Sequence, residues 1–334
     1  MTTATRVMGP SRRRPAVSRW ALVVASVGLL VACTRSPAVS TNGAAPAFGT
    51  TPTTTTAPTP TTSTIATTTT TTQFQIDPSY FVPGSCVTFA PTVGNRHTTV
   101  YLDAGHGGLD PGAVGTTESG QPVHEADQTL AVELDTMALL RAEGFQVTVS
   151  RTEDSTVVRL QPGDTSGPLL TESGDHRDLL ARELCPDLAH ADLLVGIYFN
   201  GSGSPLSAGC ITGYDAARPF AAANLRLATL LQHDVLGLMN AQGWAIPDLG
   251  VASDTALGGS APTPAAAAYD RLILLGPADP GYVPIPSEMP GALIEPLYVT
   301  DPFEANIAVS TSGQQLLAMG IAKAVEEYFG PSNG

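Results

Sequence analysis

A histidine stands between glycines in Asp103-Ala104-Gly105-His106-Gly107-Gly108-Leu109-Asp110-Pro111-Gly112-Ala113, directly after the β-branched run 98–103. Glycine on either side lets the backbone turn sharply and leaves the imidazole uncovered at the carboxyl end of a strand, where open α/β sheets place their sites. An imidazole displayed in this way suits a divalent metal ion. Two glutamates also have positions that could carry chemistry. Glu125, in His124-Glu125-Ala126-Asp127, opens a helical stretch, where the macrodipole favours an acid. Glu295 ends the apolar run Ala292-Leu293-Ile294, and a carboxylate there needs either a salt-bridge partner or a reactive role.

The elements that must position these residues alternate short apolar strands with longer amphipathic helices. That pattern predicts an α/β domain with a mostly parallel twisted sheet and helices on both faces. Strands are expected at 98–103, 145–150, 191–199, 209–214, 271–275 and 291–297. Helices are expected at 127–143, with Gly144 past its end, and at 176–185, 219–240 and 314–328. Residues 247–268, rich in Gly, Ala, Pro and Ser, read as a surface loop. The wider stretch 247–290 is the natural candidate for a cover over a cleft.

From about residue 98 to 329 the chain resembles the zinc-dependent N-acetylmuramoyl-L-alanine amidases of the amidase 3 kind, which cut the bond between glycan and stem peptide in peptidoglycan. The turn around His106 is the most specific part of the resemblance. It implies a zinc-dependent amidase/exopeptidase-like fold, with His106 and Glu125 as zinc ligands and Glu295 as general base for a zinc-bound water. The third family ligand is a histidine at a strand end. The matching stretch here is Gly196-Ile197-Tyr198-Phe199-Asn200, so Tyr198 stands in its place. A phenol has a reference pKa of about 10 and must lose its proton to bind a metal, which weakens the expected Zn²⁺ site. None of His124, His176, His190 and His233 occupies a matching position. Asp103 is expected to support the histidine turn, and Asn200 to bind substrate or hold the strand end. Pro296-Leu297-Tyr298 replaces the family's Gly-Phe after Glu295, and Asp301 replaces an asparagine. The resemblance implies peptidoglycan as partner and a hydrolytic activity. The alternative is an impaired amidase that binds peptidoglycan or regulates other cell-wall hydrolases.

The chain of 334 residues carries a formal net charge of -14, and no Asp or Glu precedes Asp77. A body so acidic is a poor nucleic-acid binder, because such affinity comes from Lys and Arg neutralising phosphates. The basic start Arg12-Arg13-Arg14, the apolar run 20–32 and then Cys33 read as an export signal too short to span a membrane comfortably. Leu30-Val31-Ala32-Cys33 resembles a bacterial lipobox, which implies a lipid-anchored protein on the outer face of the cell membrane. A cleaved signal and a secreted product are the alternative. Residues 1–33 are thus read as lipoprotein signal peptide, 34–75 as a disordered Thr/Pro-rich linker and 76–334 as the catalytic domain. Beyond Cys33 lie Cys86, Cys185 and Cys210; an oxidising compartment allows one disulfide among three possible pairings.

Overall fold

Residues 79–257 and 263–331 of the computed structural model are described here. The expected signal peptide, Cys33 and the linker 34–75 lie outside them. Eleven strands and seven helices occur among the described residues. The first half runs β1 (Ser85–Phe89), β2 (Thr99–Ala104), β3 (Val114–Thr116), β4 (Pro122–His124), α1 (Glu125–Ala142), β5 (Gln146–Arg151), β6 (Thr165–Ser166), β7 (Leu169–Leu170), α2 (Glu172–Leu188) and β8 (Leu193–Ile197). The second half runs β9 (Cys210–Tyr214), α3 (Ala221–Ala241), β10 (Asp248–Ser253), α4 (Asp254–Leu257), α5 (Pro264–Tyr269), β11 (Gly291–Glu295), α6 (Pro302–Ala308) and α7 (Thr311–Phe329).

The main sheet has the order β1-β5-β2-β8-β11-β9-β10. The pairs β5–β2, β2–β8, β8–β11 and β9–β10 are parallel, while β1–β5 and β11–β9 are antiparallel. The central strands are covered on both faces, which explains why β2 and β8 are buried along their whole length. Alternation then divides their side chains. Val100, Leu102, Val195 and Ile294 pack against α1, α3 and α7 through Val132, Leu231 and Ile321. Tyr101, Leu194 and Leu293 face the other way, toward Cys185 of α2 and Leu274, Leu275 and Met289. The expected mostly parallel sheet with helices on both faces is therefore what forms. No helix among the described residues is long and apolar enough to cross a membrane.

Two expectations fail in the segment before β11. Residues 271–275 form a turn, closed by the Gly276 amide donating to the Leu272 carbonyl at 2.9 Å, rather than a strand. Leu274 and Leu275 are buried because that turn seals the far face of the sheet. Residues 247–268 are not simply a loop, since β10 pairs in parallel with β9 and two short helices, α4 and α5, follow. The open edge of β9 supplies a pairing partner that composition alone does not reveal.

The disulfide joins Cys86 to Cys185, 99 residues apart, and Cys210 is a buried free thiol. It ties the edge strand β1 to the far-face helix α2. Closing so long a loop removes roughly 4–5 kcal/mol of unfolded-chain entropy on the loop-entropy argument, of which ~2–5 kcal/mol is usually realised. The double variant Cys86→Ser/Cys185→Ser is expected to lose that amount in a urea titration. Equal midpoints for the variant and the oxidised wild type would refute the structural role.

Glu183 of α2 is fully buried, with one oxygen lacking a partner and the other receiving a long 3.4 Å bond from the Ser287 amide. Burial, opposed by that bond, pushes its pKa up to about 9. The folded chain therefore holds the proton more tightly than the unfolded chain does. The resulting stability is complete below the ordinary carboxyl pKa and is lost as pH rises toward 9. Glu183→Gln is expected to flatten the stability decline between pH 5 and 9, measured as urea midpoint against pH. An unchanged slope would count against it.

Candidate active site

The His106 turn leaves β2 with unusual backbone. His106 has φ 62°, a left-handed conformation that a non-glycine residue adopts at a cost of order 1–3 kcal/mol. The turn is held from two sides by buried arginines. Arg151 donates to the carbonyls of Ala104 and Gly105, and Arg182 to those of Ala104 and His106. Gly112 closes the turn, and no larger residue fits there. A Cβ on it would come within 2.7 Å of the His106 ring and 2.8 Å of the Glu125 carboxylate.

The imidazole is bracketed by two acids, with Nδ1 2.6 Å from Asp110 Oδ2 and Nε2 3.3 Å from Glu125 Oε1. Burial opposes its charge, but the hydrogen bonds to Asp110 and Glu125 outweigh it and raise the pKa to about 10. The Asp110 carboxyl is held below its ordinary value: burial raises it, and the bond to His106 more than compensates. Glu125 opens α1 in the position expected of it. Its two oxygens accept from the backbone amides of Ala113 and Phe199, both at 2.8 Å.

Tyr198 follows β8. Its hydroxyl donates to Asp103 Oδ2 at 3.0 Å, and Arg182 Nη1 donates to the other oxygen of that carboxylate at 2.9 Å. Arg182 also pairs with Asp178 at 2.9 Å. Burial and then the Asp103 charge drive the phenol pKa well above its ordinary value. Asp103 thus shares Arg182 with the Ala104 and His106 carbonyls of the turn.

Glu295 ends β11 and has no salt-bridge partner among the described residues. Asn200 Nδ2 donates to its Oε2 at 2.7 Å. Burial, reinforced by the Glu125 charge and opposed by His106, lifts its pKa to about 7. His106, Glu125, Tyr198, Asn200 and Glu295 all line one open recess of about 580 Å³. A second cavity of about 560 Å³ shares Tyr198 and Glu295 with it and is otherwise walled by α2, Asp254, Leu293 and residues within 263–274 and 281–282. Part of the expected cover segment therefore forms a side wall beside the site. Asp301 accepts the amides of Phe303 and Glu304 as N-cap of α6. Glu304 accepts from the amides of Gly209 and Tyr298 and so ties together two loops near the recess.

A zinc ion of the catalytic kind needs three protein donors with a fourth position left for water. Here an imidazole and a carboxylate converge, but the Tyr198 hydroxyl is given to Asp103 instead of joining them. Among the described residues no group of three or more His, Cys, Asp or Glu could hold a metal ion. The donor set does not fit a three-ligand site, because the Tyr198 hydroxyl faces Asp103. His124, His176, His190 and His233 do not line the recess and supply no substitute.

The sequence profile of the amidase 3 family, described as N-acetylmuramoyl-L-alanine amidase, matches residues 100–327, more than half of the chain. The chain belongs to that family. This amidase therefore acts on peptidoglycan, at the amide between N-acetylmuramic acid and L-alanine. No curated protein matches its sequence. Among solved structures it is similar to the CwlD amidase of Clostridioides difficile, determined in complex with the GerS lipoprotein: identity is 21%, coverage 70% of this chain and 98% of the other, and TM-score 0.52. Cwp6 from Clostridium difficile shares 19% identity over 71% of this chain and 30% of its own, with TM-score 0.50. The catalytic domain of CwlV, the amidase from Paenibacillus polymyxa, shares 23% identity over 70% of this chain and 98% of its own, with TM-score 0.47. Of the residues expected at the site, His106, Glu125, Tyr198, Asn200 and Glu295 share the recess, and Asp103 stands behind it. Asp110 and Arg182 were not expected. Their signals are an acid four residues after the histidine and an Asp178/Arg182 pair at i, i+4 spacing in a charged helix.

Proposed function

We propose that Glu295 is the general base of the amidase. The observation that carries this is a carboxylate with no salt bridge among the described residues, oriented by Asn200 at 2.7 Å and with a pKa of about 7, at the wall of the recess. A base with that pKa is half ionised near neutrality, where general-base catalysis is most effective. Glu295 takes a proton from water as the water oxygen bonds to the lactyl carbonyl carbon. It returns that proton to the L-alanine nitrogen as the C–N bond breaks. A zinc ion, if bound, would supply Lewis-acid chemistry at the carbonyl and the water; His106 and Glu125 are the residues of this chain that would hold it. Because the donor set stops at those two, the proton transfers are assigned to Glu295 alone.

The lipobox-like Leu30-Val31-Ala32-Cys33 supports an anchored protein at the outer face of the membrane, within reach of the wall. Retention of Glu295 with Asn200 upon it favours hydrolysis over a module that only binds peptidoglycan or regulates another hydrolase. The full-length chain in mild detergent, incubated with purified peptidoglycan, is expected to release free stem peptides detectable by mass spectrometry. Release no greater than that from a heat-inactivated sample, with and without added Zn²⁺, would reject the hydrolytic reading.

A further inference from the structure

Three consecutive residues leaving β8 each hold one carboxylate of the site. Tyr198 Oη donates to Asp103 at 3.0 Å, the Phe199 amide to Glu125 at 2.8 Å and Asn200 Nδ2 to Glu295 at 2.7 Å. The first of them occupies the third metal-ligand position. Its ring fills space that only a glycine leaves open, since a Cβ on Gly105 would lie 2.4 Å from Tyr198 Cε1. Its hydroxyl faces a carboxylate that is fully buried and already fixed by Arg182. Turning the phenol oxygen toward His106 and Glu125 would strip a hydrogen bond from a buried charge, an unfavourable exchange.

We infer that Tyr198 is a positioning residue that closes the third donor position: its phenol is committed to Asp103, and the chain offers Zn²⁺ only His106 and Glu125. The inference concerns metal affinity. It stands or falls separately from the hydrolytic reading, which peptide release tests. Isothermal titration of full-length protein with ZnCl₂ at neutral pH distinguishes a positioning role from a ligand. If the phenol is not a ligand, Tyr198→Phe binds Zn²⁺ as weakly as wild type, within about threefold. Tyr198→His restores an imidazole and binds at least ~100-fold more tightly, as expected on completing a three-donor site. With Co²⁺, Tyr198→His alone should develop the intense visible bands of a four-coordinate ion. A tenfold or greater loss of Zn²⁺ affinity in Tyr198→Phe would overturn the inference. So would a Tyr198→His protein with the wild-type melting curve and no gain in affinity. Should Tyr198→His not fold, the comparison of Tyr198→Phe with wild type still decides.

Discussion

Glu295→Gln is expected to lower kcat/KM for stem-peptide release by ~10²–10⁴-fold, the range typical of a lost general base, without a matching loss of stability. Glutamine keeps the shape and can still accept from Asn200 but cannot take a proton. The wild-type enzyme should carry the signature of the same group in its pH profile. The Glu295 carboxyl is raised to about 7 by burial and by the Glu125 charge, and only its ionised form works as a base. Activity should therefore rise through pH 7 and fall off below it, well above the ordinary carboxyl range. Substituting the neighbour that lifts it separates the causes: Glu125→Gln should move the acid limb to lower pH, if activity survives. Retention of more than a tenth of wild-type kcat/KM in Glu295→Gln would rule out the assignment.

Arg182→Met is expected to destabilise the fold by ~3–5 kcal/mol, as removing one member of a buried ion network does. The guanidinium is 1% exposed and sits between Asp103 and Asp178 while donating to the carbonyls of Ala104 and His106. Methionine fills part of the volume but leaves two buried carboxylates without their ion-pair partner and the His106 carbonyl without its arginine donor, while Ala104 keeps the bond from Arg151. The urea midpoint of the variant reads the loss directly. A change below about 1 kcal/mol would mean that water or Arg151 takes over the role, and the central place given to Arg182 would be wrong.

The central strands and long helices were legible because period and composition agree along them. Residues 98–103 begin with three β-branched residues and from Thr99 onward are buried on both faces, and the apolar spacing in 219–240 has no strand alternative. The edge was not legible. β1 (Ser85–Phe89) and β10 (Asp248–Ser253) are partly exposed and owe their strand state to a neighbour's free edge, which leaves no mark in local pattern. Arg271-Leu272-Ile273-Leu274-Leu275 misled for the opposite reason: an apolar run announces burial and does not say whether a strand or a turn delivers it. At the site, the His106 turn, Glu125 and Glu295 were readable from their places at element ends. Tyr198 was readable as a departure, but the direction of its hydroxyl was not. That direction depends on Asp103 and Arg182, 95 and 16 residues away.

The bond between Cys86 and Cys185 lies one helical turn beyond Arg182 on α2. A helix lying across a sheet could otherwise slip lengthwise by small amounts with little change in its apolar contacts. Here slippage is limited by a covalent pin to the first strand, so the guanidinium keeps its level against the end of β2. Mechanical alignment of the histidine turn thus begins at an edge strand of the sheet.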